Sequence, residues 1–194
     1  MNEVEGIRES KYDIDPIYLK RWSPRSFQEK DIPKDVLNSL FEAARWAPSA
    51  GNAQPWRFVL ANKKSDRDKF LSYINDGNVA WCRHAPVLVA VLSKKEEERF
   101  GGFNQSHAFD TGAAWGYLAL EATRKGLITH AMGGFNKEKA REILSIPEEY
   151  AIHAIVAIGY QGGKENLSEK LQSREKPSDR KLIDELVSEG SFSK

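Results

Sequence analysis

The chain has 194 residues, 40% of them hydrophobic and 29% charged, which suits one folded domain with a real core. Its formal net charge of +1 offers no global field for nucleic acid or an anionic membrane, so any positive site must be local. The single cysteine, Cys82, excludes an internal disulfide and a cysteine zinc cage, and no apolar run approaches the roughly 20 residues that span a bilayer.

The opening MNEVEGIRES is polar and mixed in charge, so it does not read as a signal peptide, and a cytoplasmic location is the default expectation. Pro16 to Lys20 suits a short helix. Asp35 to Ala47 carries Val36, Leu37, Leu40, Phe41 and Ala44 near helical spacing between Pro33 and Pro48, which predicts a helix. Arg57 to Ala61 reads as a strand, Asp66 to Ile74 as a helix, and Asn75-Asp76-Gly77-Asn78 as a loop. Val87 to Leu92 is continuously apolar and predicts a strand buried on both faces. Glu96 to Arg99 is polar and precedes Gly101-Gly102, which suits a mobile lid. His107 to Lys125 has the strongest apolar helix pattern; its alanines with Gly112 and Gly116 would permit close helix approach. Lys137 to Leu144 reads as a helix, Ile146-Pro147-Glu148 as a turn, and Ile152 to Tyr160 as a second buried strand. Leu182 to Val187 is a short amphipathic piece. Strands set between helices without a linker predict a single α/β or α+β domain over residues 1–194.

Three segments carry more than packing requires. In Arg21-Trp22-Ser23-Pro24-Arg25-Ser26-Phe27, two guanidiniums flank a hydroxyl where Pro24 prevents regular helix. Arginine presents a planar fork to oxyanions, so this suits a phosphate; the alternative is a solvated basic patch. Ala47-Pro48-Ser49-Ala50-Gly51-Asn52-Ala53-Gln54-Pro55-Trp56 packs backbone N–H groups, amides and a rigid apolar wall into one connector. It suits the edge of a flat, heteroatom-rich ligand, or else a plain helix stop and turn. Arg174 to Lys181 is a third basic cluster, again either a site or a solvated tail.

The chain has no G-x-G-x-x-G, no G-x-x-x-x-G-K-[ST], no H-E-x-x-H and no G-x-S-x-G. The histidines His84, His107, His130 and His153 stand in different segments; His153, inside an apolar strand pattern, reads as structural. His130 reads either as a ligand contact or as a hydrogen-bonded structural residue. This want of an acid–base constellation suits an enzyme whose cofactor carries the electrons.

In order and spacing these motifs resemble the nitroreductase family of flavin enzymes. The resemblance covers nearly the whole chain from about Ile14, with Ala131-Met132-Gly133-Gly134-Phe135 as a fourth element. It implies a three-layer sandwich with a central mixed sheet flanked by helices, a C-terminal extension wrapping a partner subunit, and a homodimer with FMN at its interface. Arg21, Trp22, Ser23 and Arg25 would hold the phosphate, ribityl chain and one ring edge, with Arg180 completing the clamp. Asn78 would face the flavin. Pro48, Ser49, Ala50, Asn52 and Gln54 would arrive from the second subunit. Met132, Gly133 and Gly134, beside His130 and Ala131, would present backbone near N5. Some family members have proline and glutamate where this chain has Ala131 and Gly133, and lysine where it has Trp81.

The implied reaction is ping-pong: NADH or NADPH passes hydride to the flavin, and a nitroaromatic or quinone then takes the electrons. Trp56, Phe103 or Phe109 would wall the acceptor or else serve as packing. Other readings are reductive dehalogenation, flavin reduction or destruction on the same scaffold, and flavin binding without turnover. Near-neutral charge and the want of a basic stripe disfavour nucleic acid.

Overall fold

The computed structural model describes residues 7–97 and 101–192 of the chain. After a short helix, α1 (Ile17–Lys20), comes α2 (Lys34–Arg45), which begins behind Pro33, carries Asp35 in its first turn and buries Leu37, Leu40 and Ala44. Proline ahead of the first turn and an acid within it are favourable, because the first N–H groups lack helical partners. Strand β1 (Trp56–Ala61) follows, then α3 (Lys64–Leu71) and α4 (Asp76–Cys82). Strand β2 (Val87–Lys94) leads to the long helix α5 (His107–Arg124), and β3 (Ile128–Met132), α6 (Lys137–Ile143), β4 (Tyr150–Gly159) and α7 (Glu169–Gln172) complete the order.

The sheet runs β1-β2-β4-β3 and every pairing in it is antiparallel, where a mixed sheet was expected. Strand β2 is central and its alternation builds two cores. Val87, Val89 and Val91, with Val156 and Ile158 of β4, pack on Leu37, Leu40 and Ala44 of α2 and Ala114, Leu118 and Ala122 of α5. Leu88, Ala90 and Leu92, with Ile155 and Ala157, face Phe70, Tyr73, Trp81, Cys82 and Ala140. Helices therefore cover both faces, giving the expected α+β sandwich. Burial in this second core pushes the Cys82 thiol up to about 12, which keeps it an inert packing group.

Helix α5 stops where Gly126 turns left-handed at φ 74°. There Leu127 N–H donates to Ala122 O (2.8 Å) and Gly126 N–H to Thr123 O (3.1 Å), while Leu127 is itself buried beside Ala122. This paired closure satisfies the last carbonyls and suits glycine.

Several expectations are corrected. Asn75–Asn78 is not a loop: Asn75 precedes α4, and Asn78 lies within it. Burial of Trp81 and Cys82 holds this helix despite Gly77 and Asn78. Strand β3 was not foreseen, because polar Thr129 and His130 interrupt its apolar pattern. The piece at Leu182 to Val187 forms one 3-10 turn, Ile183–Glu185, and leaves Leu182, Leu186 and Val187 exposed. Of the expected lid, residues 98–100 lie outside the described residues; around them Glu96 bridges Phe103 and Glu97 N–H donates to Gly102 O (2.9 Å). A Cβ added to Gly112 or Gly116 would meet nothing within 4 Å among the described residues beyond its own helix turn, so no close helix contact among them requires these glycines.

Candidate functional site

The Arg21–Phe27 segment is fixed by the chain leaving β4. Ser26 Oγ donates to Gly163 O (2.6 Å), Gly162 N–H donates to Ser26 O (2.9 Å), and Gln28 N–H donates to Tyr160 O (2.9 Å). A Cβ on Gly162 would stand 2.9 Å from Ser26 Oγ and 3.1 Å from the Phe27 backbone, so glycine permits this approach. Pro24 is buried and Phe27 stacks on Trp81, their centroids 6.1 Å apart. From the C-terminal tail, Glu175 Oε1 accepts the N–H groups of Arg25 (2.7 Å) and Ser26 (2.9 Å). Its Oε2 lies 3.8 Å from Arg25 Nη1.

These ties shape a cavity of about 300 Å³ lined by Arg8, Arg21, Trp22, Ser23, Arg25, His130, Arg174, Lys176, Ser178 and Arg180. Arg21, Trp22, Ser23, Arg25, His130 and Arg180 were all expected at one site, and the fold brings them together from three distant parts of the chain. Arg8 was missed. It donates to Ser178 O (2.7 Å), Arg21 O (2.7 Å) and Leu19 O (3.0 Å), and so staples the tail to the arginine segment. An isolated arginine in a polar N-terminal stretch carries no sequence signal for this.

Six of the lining side chains are cationic. Burial lowers the Arg21 pKa first, and the charges of Arg180 and Arg8 lower it further. Burial likewise lowers Arg25, partly opposed by Glu175. Converging cations that depress one another form a site that an oxyanion would relieve. Arg21 Nη1 also reaches Ser23 Oγ (3.4 Å), so forked guanidinium and hydroxyl donors stand side by side. That donor set fits a phosphate monoester.

His130, on β3, closes the cavity floor. Its Nδ1 donates to Pro24 O (3.0 Å) and its ring lies 4.4 Å from that of Trp81. Burial pushes its pKa down, and Arg25 and Arg21 add to this against the Pro24 hydrogen bond. The imidazole is thus neutral at pH 7, and a structural tie and a lining role coincide in it.

Beyond His130, Ala131 packs toward the α2/α5 core and Met132 is buried in the opposite one. Their side chains are committed to packing. Gly134 O accepts from Asn75 N–H (3.0 Å) and Asn78 Nδ2 (3.2 Å), and a Cβ on Gly134 would stand 2.7 Å from that Nδ2. Asn78 therefore braces this loop. Gly133 differs: a Cβ there would meet nothing within 4 Å.

The Pro48–Gln54 loop does not line the cavity. Pro48, Ala50, Asn52 and Gln54 are exposed and Ser49 is half-buried. Gly51 (φ 57°), Asn52 (φ 58°) and Gln54 (φ 46°) are all left-handed. Such backbone costs about 1–3 kcal/mol per non-glycine residue when sparsely populated and persists only where it is held. Ser49 Oγ accepts Gln54 N–H (3.0 Å). Asp110, buried in the first turn of α5, accepts Ala50 N–H (3.1 Å). Asp110 was not foreseen, because one acid in an apolar helix looks like a dipole partner. Trp56 is buried core, whereas Phe103 and Phe109 are exposed.

Fold and cavity together define an α+β sandwich with a cation-lined cavity that includes His130 of edge strand β3. The nitroreductase family profile matches residues 18–80 and 71–160, and the chain belongs to that family. A curated relative, "NADH dehydrogenase" of Thermus thermophilus, is 30% identical over 171 residues, covering 73% of this chain and 83% of its own. A solved structure described as an oxidoreductase containing FMN is 40% identical and superposes with a TM-score of 0.91 over 96% of both chains. A nitroreductase family protein from Clostridium difficile is 25% identical with a TM-score of 0.73, covering 93% of this chain and all of that one.

Proposed function

We propose that this chain, an FMN-dependent NAD(P)H oxidoreductase of the nitroreductase family, reduces quinone or nitroaromatic acceptors in ping-pong order as a homodimer of single-domain subunits. The observation that carries the reading is the convergence of Arg21–Arg25, His130 and Arg174–Arg180 on one cation-lined cavity. Arg21, Ser23, Arg25 and Arg180 would hold the FMN phosphate, Trp22 the adjoining chain, and His130 with Pro24 the floor. Gly133 offers open backbone to the ring. Bound FMN supplies the two-electron carrier between nicotinamide donor and acceptor.

The dimer rests on two features. The Ala50–Gln54 loop holds its left-handed backbone exposed and does not line the cavity of its own chain, so Pro48, Ser49, Ala50, Asn52 and Gln54 suit a site shared with a second copy. Apolar side chains also stand in solvent, including Phe109 (83% exposed) on α5 and Leu182 (72%) and Phe192 (87%) on the tail. A symmetric pair would cover such surface and form two equal sites.

The test is a visible spectrum of the purified protein followed by anaerobic NADH and, separately, NADPH. Flavin bands that bleach with either donor and return with a quinone support the reading. Bands that neither donor bleaches favour flavin binding without turnover. No flavin after reconstitution with FMN overturns the reading.

A further inference from the structure

Ser93, His107 and His153 come from β2, α5 and β4, and they meet. Ser93 Oγ lies 2.6 Å from His107 Nδ1 and 2.6 Å from His153 Nε2. Ser93 is completely buried. A β-bulge makes this possible: Val91 pairs with Ala154 and Leu92 with Ile152, so His153 is the extra residue of β4. Bulges re-aim side chains, and here one turns an imidazole onto a buried hydroxyl.

Two hydrogen bonds among three atoms require two protons. The hydroxyl supplies one and a single ring nitrogen supplies the other. In one arrangement His107 Nδ1–H donates to Oγ and Oγ–H donates to His153 Nε2. In the other, His153 Nε2–H donates to Oγ and Oγ–H donates to His107 Nδ1. With both rings neutral, the second passes into the first when both protons cross their hydrogen bonds while His107 Nε2 gives up a proton and His153 Nδ1 takes one.

The cluster adjoins the start of β1, where the chain leaves the Pro48–Gln54 loop. Ser93 pairs with Trp56, and Lys94 N–H donates to Pro55 O (2.9 Å). His107 opens the helix whose Asp110, one turn on, accepts Ala50 N–H. The exposed Phe103 ring stands edge-on to His107 at 5.4 Å. His107 is half-buried, so the triad runs from a fully buried hydroxyl toward the surface that bears Phe103.

We propose that Ser93, His107 and His153 form a proton relay serving the acceptor side of the oxidoreductase site. The proposal rests on the reductase reading above. A quinone that accepts a hydride gains one negative charge on oxygen and needs one proton, which the nicotinamide donor does not supply. In the relay, His107 Nε2–H gives that proton to the quinone oxygen. His107 Nδ1 takes the Ser93 proton, Oγ takes the His153 Nε2 proton, and His153 Nδ1 regains one from water. Each link loses one proton and gains one. Burial, then the charges of His107 and Lys137, hold the His153 pKa down, so its ring is neutral and able to pass a proton either way. The groups placed against the pair are Ser93, Lys137 on α6 and the ring of Phe103.

Rapid mixing separates the half-reactions. In Ser93→Ala the rate of bleaching by NAD(P)H is unchanged, while reoxidation by benzoquinone slows about 10- to 100-fold and its solvent deuterium effect changes. Ser93→Thr, which keeps a hydroxyl, restores much of the rate. Independently of turnover, 15N NMR of the apoprotein follows the two imidazoles. In the parent, His107 Nδ1 and His153 Nε2 show the shifts of hydrogen-bonded ring nitrogens in linked tautomers, and Ser93→Ala abolishes that link. Rings without that linkage in the parent, or unaltered quinone reoxidation in folded Ser93→Ala, overturn the relay. Failure of the parent to bleach with either nicotinamide overturns the reductase reading instead, and the apoprotein spectrum still decides whether the three groups share a proton chain.

Discussion

The cavity around Arg21 and Arg25 is closed by its own chain, whereas the Ala50–Gln54 loop is held by its own chain but left exposed. In the first, Glu175, Gly162, Gly163 and Arg8 fix the backbone and leave cationic side chains facing one another. In the second, Ser49 and Asp110 hold left-handed residues against solvent. The first region stores unfavourable charge that a phosphate would relieve, and the second stores backbone strain. Strain kept in an exposed loop, with two dedicated acceptors holding it, is what the proposed dimer contact rests on, as converging cations are what the proposed phosphate contact rests on.

The largest effects should come from the cavity. Arg25→Ala and Arg180→Ala each weaken FMN retention. A hydrogen bond to a charged group contributes about 1.5–3 kcal/mol, so Kd should rise about 10- to 150-fold in a flavin-fluorescence titration. Riboflavin, which lacks the phosphate, should bind both variants as it binds the parent. Unchanged FMN affinity in both variants would remove the phosphate from this cavity.

A smaller effect appears as a slope against pH. The folded pKa of His130 is depressed, so the unfolded chain binds more protons just below the ordinary histidine value. The stability that His130 contributes is therefore present above about pH 6.5 and is lost as pH falls through its folded value. The pH slope of the unfolding free energy below about pH 6.5 should be shallower in His130→Gln by at most ~1.4 kcal/mol per pH unit. His153, depressed in the same direction, leaves a residual slope that His153→Gln should remove.

How much of this was legible follows from how local each signal is. Strand β2 and helix α5 were readable because their packing is written in contiguous apolar runs. The cavity residues were readable because three short motifs each carried their own chemistry. Helix α4 and strand β3 were not, since Trp81, Cys82 and Met132 stabilise them through contacts made across the fold. Glu175 looked like one acid in a basic tail, yet it caps the Arg25–Ser26 backbone. Ser93, His107 and His153 are separated by at least 14 positions, and only a one-residue bulge brings the last onto the first. Chemistry assembled by register is invisible until the register is known.

The loop should respond differently from the cavity. Asp110→Ala frees Ala50 N–H and removes a tie comparable to a helix cap, about 1 kcal/mol. The expected result is a modest fall in Tm and weaker FMN retention, with inorganic phosphate still bound by the apoprotein as in the parent. Equal loss of phosphate binding would show that the two regions are one site within a single chain.

The smallest change in stability should fall at Gly133, and it divides packing from ligand contact most finely. Its neighbour Gly134 has a packing reason to be glycine, since a Cβ there would press on Asn78 Nδ2 at 2.7 Å. Gly134→Ala must displace that amide and lose its hydrogen bond to Gly134 O, about 1 kcal/mol. Gly133 has neither a crowded Cβ position nor a left-handed φ. Gly133→Ala should therefore leave the unfolding free energy within about 0.5 kcal/mol of the parent. If a flat ring lies against that backbone, the same methyl lifts it away, and FMN affinity falls several-fold in a protein of unaltered stability. Parent-like affinity in Gly133→Ala would move the ring away from this loop and leave the arginine cavity as the only flavin contact on this side.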